Sequence, residues 1–372
     1  MLKLFVAAVL AAFAMPGPAA AQPGDATVDW KIDAHDSDGS AGKVQLTISR
    51  RLARGQWIHS NTISLSQLQG LSPAQLASAS GTEVRFRMAR EAGAFDCSGI
   101  VRRGRGTGEC SFAPDPAFVA GLARRGIGAA TPQQLFSLAL GRIGLSYVDE
   151  LARQRYARPT VEDLIRAGDH GAGLDYLRGM GALGYRAGTV DGLVRMRDHG
   201  VTPEYAGELV RLGVTGLTPD DLVRLRDHGV SPQFVGELRR LGYRRLAISE
   251  LVRLRDHGVS ADYVRELDRN GIRNVPTETL VRLRSHGVSA SFVGALRQHG
   301  YGSLSPDEII RLRDHGVSAG FVGELRELGY TRLTADEIVR LRSHGVDPAF
   351  IRRTNAGGRR SVEELVRLRV SG

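Results

Sequence analysis

Two hydrophobic periods divide the chain. Between residues 25 and 112 apolar side chains recur at every second position: Val44, Leu46 and Ile48 alternate with Gln45, Thr47 and Ser49, and Val84, Phe86 and Met88 alternate with Arg85, Arg87 and Ala89. A period of two with polar partners marks half-buried antiparallel strands. Similar runs at 27–33, 57–65, 94–101 and 108–112 are separated by Gly- and Ser-containing stretches. This part is expected to be a small β-domain of five or six strands, either sandwich-like or a single curled sheet.

From about residue 113 the period becomes helical, and the pattern repeats. Asp169-His170-Gly171, Asp198-His199-Gly200, Asp227-His228-Gly229 and Asp256-His257-Gly258 recur every 29 residues, and the column continues at His286, His315 and His344. An aromatic column keeps the same register without a break: Phe118, Tyr147, Tyr176, Tyr205, Phe234, Tyr263, Phe292, Phe321 and Phe350. Within residues 231–257, Ser231-Pro232 reads as an N-cap with proline at the first helical position. Phe234, Val235, Leu238 and Leu241 follow at helical spacing, and Gly242 stops the helix. Ser249 is expected to cap a second helix carrying Leu251, Val252 and Leu254, which His257-Gly258 closes. Helices this short are marginal alone, so stacking on neighbouring repeats must stabilise them. The expected fold class is α+β: a small antiparallel β-domain followed by an α-solenoid of about nine 29-residue two-helix repeats. In the last repeat Thr354 and Gly357 stand at leucine positions and the second helix arrives two residues early, as in a capping unit.

Composition adds compartment and charge. With 372 residues and 42% hydrophobic content, a wholly disordered chain is excluded. The net charge of +10 rests on arginine, since Lys3, Lys31 and Lys43 are the only lysines. Residues 1–21 combine Lys3, an apolar run from Leu4 to Met15 and Ala19-Ala20-Ala21, the make-up of a secretory signal peptide. That run falls short of the roughly 20 residues a spanning helix needs. The expected organisation is therefore a signal peptide over 1–21, the β-domain over 22–112 and the solenoid over 113–372, in a periplasmic or secreted protein whose mature chain has no membrane span. Cys97 and Cys110 flank a turn centred near Arg103-Gly104, and a hairpin there would set them opposite each other. A disulfide would close a 14-residue loop, worth about 3 kcal/mol. The twelve intervening residues match neither CxxC nor a four-ligand zinc spacing.

The repeat columns hold the remaining candidate chemistry. Histidines about 10 Å apart on successive helices cannot share an ion whose bonds are about 2 Å long. The histidine column is therefore expected to bond free carbonyls in the last helical turn and complement the negative helix end. No metal and no cofactor is expected. Arg197, Arg226, Arg255, Arg284, Arg313 and Arg342 fall about 40° from the leucine that opens the helix, inside the apolar sector. They are expected to pair with Glu208, Glu237, Glu266 and Glu324 on the first helices, Ala295 lacking the acid in one repeat. Arg166, Arg195, Arg224, Arg253, Arg282, Arg311 and Arg340 lie about 200° away and face solvent. This ladder is the candidate binding feature, suited to phosphate or carboxylate groups on an extended polyanion. Asp198, Asp227, Asp256 and Asp314, three residues on, are expected to pair with four of its members. HExxH, P-loop and CxxC motifs are absent, and Gly104 to Gly108 is too short for a dinucleotide loop. No catalytic residues are assigned, and no nucleic-acid motif or lysine-rich tract points to nucleic acid.

The run Leu222-Val223-Arg224-Leu225-Arg226-Asp227-His228-Gly229-Val230, continuing Ser231-Pro232-Gln233-Phe234-Val235-Gly236-Glu237-Leu238, resembles short helical repeats beyond the membrane domain of bacterial M56-type, BlaR1-like proteins. Residues 63–71 and 86–112 resemble the small domain preceding such repeats. The family's catalysis depends on a membrane-embedded HExxH zinc site, which this chain lacks, so no catalytic residue carries over. The resemblance implies an extracytoplasmic accessory module. The expected function is that of a non-enzymatic exported scaffold binding another envelope protein through the solenoid; the alternative is a polyanion-binding envelope protein using the arginine ladder.

Overall fold

A computed structural model of the chain describes residues 27–34, 42–51 and 56–371, so the segment expected to be a signal peptide lies outside the described residues. Two compact units are present, one ending at Leu174 and the other beginning at Asp175.

In the first unit, six strands follow the alternating segments: β1 (Val28–Asp33), β2 (Lys43–Arg51), β3 (Gln56–Ser64), β4 (Thr82–Arg90), β5 (Gly93–Arg102) and β6 (Arg105–Pro114). They form one sheet in the order β3-β2-β1-β6-β5-β4. Each half is a three-stranded meander, and antiparallel pairing of β1 with β6 joins the halves. Of the two expected arrangements, the single sheet is the one adopted. Val84, Phe86 and Met88 are buried between exposed Arg85 and Arg87.

The β5–β6 turn has two central residues, Arg103 at φ 48° and Gly104 at φ 79°. Two left-handed residues in succession suit the right-handed twist of the flanking strands. The resulting register sets Cys97 opposite Cys110, with Cα atoms 4.0 Å apart, and the two form a disulfide. The glycines near this turn serve a packing role. A Cβ at Gly99 would lie 2.6 Å from Cζ2 of Trp30, and one at Gly108 would lie 2.8 Å from its Nε1. The indole is 2% exposed, donates to the Ser98 carbonyl at 3.0 Å and meets Phe86 edge-on at 5.1 Å. The Gly-rich run is thus the seat of a buried tryptophan.

Helices α1 (Pro73–Ala77), α2 (Pro116–Arg124), α3 (Pro132–Leu140), α4 (Leu145–Arg153) and α5 (Val161–Asp169) complete this unit. Phe136 of α3 stands 5.5 Å from both Phe95 and Phe112, so the first repeat packs on the sheet. The Glu91 carboxylate, on the β4–β5 turn, accepts from the Leu145 amide at 2.8 Å and closes the start of α4.

The second unit contains all but the first residue of α6 (Leu174–Ala182), together with α7 (Val190–Asp198), α8 (Pro203–Arg211), α9 (Pro219–Asp227), α10 (Pro232–Arg240), α11 (Ile248–Asp256) and α12 (Ala261–Arg269). It continues with α13 (Thr277–Ser285), α14 (Ala290–Gln298), α15 (Pro306–Asp314), α16 (Ala319–Glu327), α17 (Ala335–Ser343), α18 (Pro348–Thr354) and α19 (Val362–Ser371). First helices stack on first helices and second on second: α10 touches α8 and α12, while α11 touches α9 and α13. This is the α-solenoid arrangement. Leu222, Leu238, Leu254, Leu267 and Leu283 are fully buried between the helix layers, each contributing roughly 1.5–3 kcal/mol.

Helix punctuation agrees with the expectation at Ser231, whose Oγ accepts from the Phe234 amide at 3.1 Å. It differs at Ser249. Helix α11 begins at Ile248 with Ala247 in the cap position, and Ser249 is an exposed second helical residue. The cap column runs through Thr218, Ala247 and Ser305, so repeat register overrides the local capping preference of the serine. In the last repeat the first helix is shortened to seven residues and followed by a 3-10 turn at Asn355–Gly357. Among the described residues no helix is long and apolar enough to cross a membrane.

Candidate functional site

Four polar columns of the repeat make contacts that join the parts of one repeat or link it to the next. The arginines expected in the apolar sector do not pair with the first-helix glutamates. Arg226 lies over Tyr205 at 5.0 Å, Arg255 over Phe234 at 5.1 Å, Arg284 over Tyr263 at 5.1 Å and Arg313 over Phe292 at 5.6 Å. Nε of Arg284 donates to the Gly258 carbonyl at 3.1 Å and Nε of Arg313 to the Gly287 carbonyl at 3.0 Å, at the glycines that close the preceding second helix, whereas Nε of Arg255 is buried with no hydrogen-bond partner among the described residues. Most of these side chains stand at the edge rather than inside the core, where a guanidinium over an aromatic face keeps its hydration. The glutamates have other partners: Glu237 pairs with Arg265 at 3.5 Å, Glu324 with Arg352 at 3.3 Å and Glu208 with Arg211 at 3.8 Å. An aromatic column spaced at 29 residues is the signal that could have revealed this, because a planar cation opposite such a column has a stacking partner available.

The aromatic column also bonds through its hydroxyls. Tyr176, Tyr205 and Tyr263 each donate at 2.8 Å to a valine carbonyl 25 residues on. Burial pushes the Tyr205 and Tyr263 hydroxyls up to about 12, opposed by the arginine over each ring.

The solvent-facing ladder is occupied by ion pairs between repeats. Arg195 meets Asp220 at 2.8 Å, Arg282 meets Asp307 at 2.7 Å, Arg311 meets Asp336 at 2.5 Å and Arg340 meets Glu363 at 3.3 Å; Arg253 pairs with Glu278. Arg166, in the first unit, pairs within its own helix with Asp163 at 2.5 Å. The acid comes from the first turn of the next second helix, not from the aspartate three residues on. Arg224 differs: the residue 25 positions on is Ser249, and Arg224 has no ion-pair partner among the described residues.

Those aspartates instead serve the histidine column. Nδ1 of His199 lies 2.6 Å from Asp227, His228 is 2.6 Å from Asp256, and His286 is 2.8 Å from Asp314. Where the aspartate is replaced, His257 meets Ser285 at 2.9 Å and His315 meets Ser343 at 3.3 Å. The expectation of last-turn carbonyl bonding by the side chain is thereby corrected. The histidine amide bonds the arginine carbonyl four residues back, while the ring reaches along the array to the next repeat. Among the described residues no group of three or more His, Cys, Asp and Glu is placed to hold a metal ion.

Helix-start carboxylates are the clearest electrostatic features. Asp163, Asp221 and Glu308 are held below their ordinary values chiefly by backbone amides at the caps Thr160, Thr218 and Ser305. On the sheet, a groove of about 430 Å³ is bounded by Gln69, Arg85, Arg87 and Asp96, with Arg87 and Asp96 paired at 2.9 Å. Comparison with known protein families and with curated proteins gives no match for the chain.

Proposed function

We propose that the chain is a non-enzymatic, exported interaction scaffold that binds another envelope protein through its helical repeats. The observation that carries this reading is the engagement of four polar columns in contacts that join the parts of one repeat or link successive repeats. Arginine–aromatic stacks, histidine–aspartate bonds, arginine–acid pairs and tyrosine–carbonyl bonds run along the array instead of converging on one point. Such bonding builds a stiff, extended surface, which is what a repeat scaffold offers a protein partner. The Cys97–Cys110 disulfide suits an oxidising compartment. Polyanion binding along the whole ladder would have to open existing ion pairs at Arg195, Arg253, Arg282, Arg311 and Arg340.

The test is capture from an envelope extract on the purified chain with elution by a salt gradient, followed by titration with the recovered component. A protein that resists moderate salt and rebinds saturably when purified supports the scaffold. Recovery of anionic polymer alone, released early and lost in an Arg253→Ala/Arg282→Ala variant, would replace the scaffold with the polyanion reading.

A further inference from the structure

Between residues 173 and 346 one repeat stands apart in its charge. Residues 231–259 carry six arginines, at 239, 240, 244, 245, 253 and 255, against three acids, Glu237, Glu250 and Asp256. The preceding repeat, 202–230, has three arginines against five acids. Among the described residues Arg239, Arg240, Arg244 and Arg245 have no ion-pair partner. The same repeat holds Ser249 where the arginine ladder otherwise meets an acid, so Arg224 also lacks an ion pair there.

Three of these arginines border a groove of about 630 Å³, within the roughly 300–1,000 Å³ of ligand sites. One wall is the loop from Gly213 to Leu217, and the other is the loop from Tyr243 to Ala247 with the start of α11. The floor is aliphatic: Val214, Leu246 and Ile248 are half-buried, while Val235, Leu238 and Leu251 lie beneath them. Arg239, Arg244 and Arg245 form the rim, and no acidic side chain lines the groove. The amides of Thr215, Gly216, Arg245 and Leu246 on the facing loops donate no hydrogen bond among the described residues. Ala247 stands at the cap of α11, where Thr218 and Ser305 supply a hydroxyl in other repeats.

From this combination we infer that the groove binds an acidic peptide segment of a protein partner, an inference that rests on the scaffold reading. An apolar side chain of the peptide fills the aliphatic floor, and its flanking carboxylates meet Arg239, Arg244 and Arg245. The uncommitted amides of the two loops offer partners to the peptide backbone. A carboxylate extending past Ile248 stands, for Arg224, where Glu278 stands for Arg253. A polyphosphate or anionic polysaccharide would match the rim but leave the floor exposed to water, so the floor selects peptide over such polymers.

The probe is the fluorescently labelled peptide acetyl-Glu-Asp-Glu-Phe-Leu-Asp-Glu-amide, followed by anisotropy with the whole chain at roughly physiological salt. Saturable binding is expected, weakened about tenfold or more by Arg244→Glu/Arg245→Glu. A similar loss is expected when Ser replaces the Phe-Leu pair of the peptide. Ser249→Asp, which supplies Arg224 with an acid from within the chain, should weaken binding several-fold, whereas Arg332→Glu on a distant repeat should leave it unchanged. Circular dichroism and thermal melting establish that each variant is folded. Equal binding of the Ser-containing peptide, or equal loss in Arg332→Glu, overturns the groove in favour of diffuse charge attraction. Binding of phosphatidylglycerol vesicles with the same variant dependence, without binding of the peptide, overturns it in favour of a lipid surface. If the peptide fails while the envelope extract still yields a salt-resistant protein partner, the groove assignment falls and the scaffold stands; if both fail, the scaffold falls too.

Discussion

Arg284→Met separates the two accounts of the inner arginine column. The guanidinium lies 5.1 Å from the Tyr263 ring centre, and its Nε donates to the Gly258 carbonyl at 3.1 Å. An exposed cation–π contact is worth about 0.5–1 kcal/mol, and a partly solvated hydrogen bond adds a comparable amount. Losing both should therefore cost about 1–2 kcal/mol, while methionine retains the aliphatic packing of the stem. A double-mutant cycle with Tyr263→Leu isolates the stack, since packing losses of the single variants cancel, and should give a coupling of about 0.5–1 kcal/mol. The matching cycle with Glu266→Gln should give less than about 0.3 kcal/mol, because the glutamate is not the partner. Urea unfolding followed by far-ultraviolet circular dichroism supplies the midpoints. Near-ultraviolet signals checked on the same samples establish whether the array unfolds in one step. A second readout is phenol titration: burial pushes the Tyr263 hydroxyl up to about 12 against the opposing charge of Arg284, so Arg284→Met should raise it further. Coupling to Glu266 larger than coupling to Tyr263, or an unmoved phenol titration, would refute the stacking account.

In the β-domain, Gly108→Ala puts a Cβ 2.0 Å from the Ser98 carbonyl oxygen and 2.8 Å from the Trp30 indole nitrogen. Because one of the obstacles is backbone, a loss of about 3 kcal/mol is expected, and an unchanged urea midpoint would contradict it. Reducing the Cys97–Cys110 bond should remove about 3 kcal/mol of stability, measured as the midpoint with and without reductant, and Cys97→Ala/Cys110→Ala should abolish that sensitivity. Tyr147 and Tyr205 should respond with opposite signs. The Tyr147 hydroxyl is buried with no hydrogen-bond partner among the described residues, so Tyr147→Phe should stabilise by about 1 kcal/mol. Tyr205→Phe, which loses the bond to Val230, should cost about 1 kcal/mol in the same melts. Because Asp163, Asp221 and Glu308 titrate below their ordinary values in the folded chain, the unfolded chain takes up their protons first as pH falls. Their contribution is present above the ordinary values of 3.8 for aspartate and 4.5 for glutamate, and is lost as pH falls below these towards the folded values. Asp221→Asn/Glu308→Gln should flatten the drop in urea midpoint over that window; an equally steep drop in the variant would show that these caps do not carry it.

The local periods of the sequence determine which elements form. Alternation at Val44, Leu46 and Ile48 fixes which side of β2 is buried, because successive side chains on a strand point to opposite faces. The turn residues at Arg103 and Gly104 set the register of one hairpin and thereby the cysteine pairing. The 29-residue period likewise makes a two-helix repeat legible, because helices of nine residues have to bury the same face in every copy. Which column meets which is decided by the tertiary structure. A solvent-facing arginine meets the residue 25 positions on, a histidine meets the residue 28 on, and an inner arginine meets the aromatic residue 21 back. The first two offsets depend on the rise and rotation from one repeat to the next and the third on how the two helices of a repeat pack, all of which a strict period leaves free. Within one helix, Asp256 looks like a partner for Arg253; across the stack it belongs to His228. For the same reason the exception at Ser249 reads as a cap in the sequence, and only stacking turns it into the missing acid opposite Arg224.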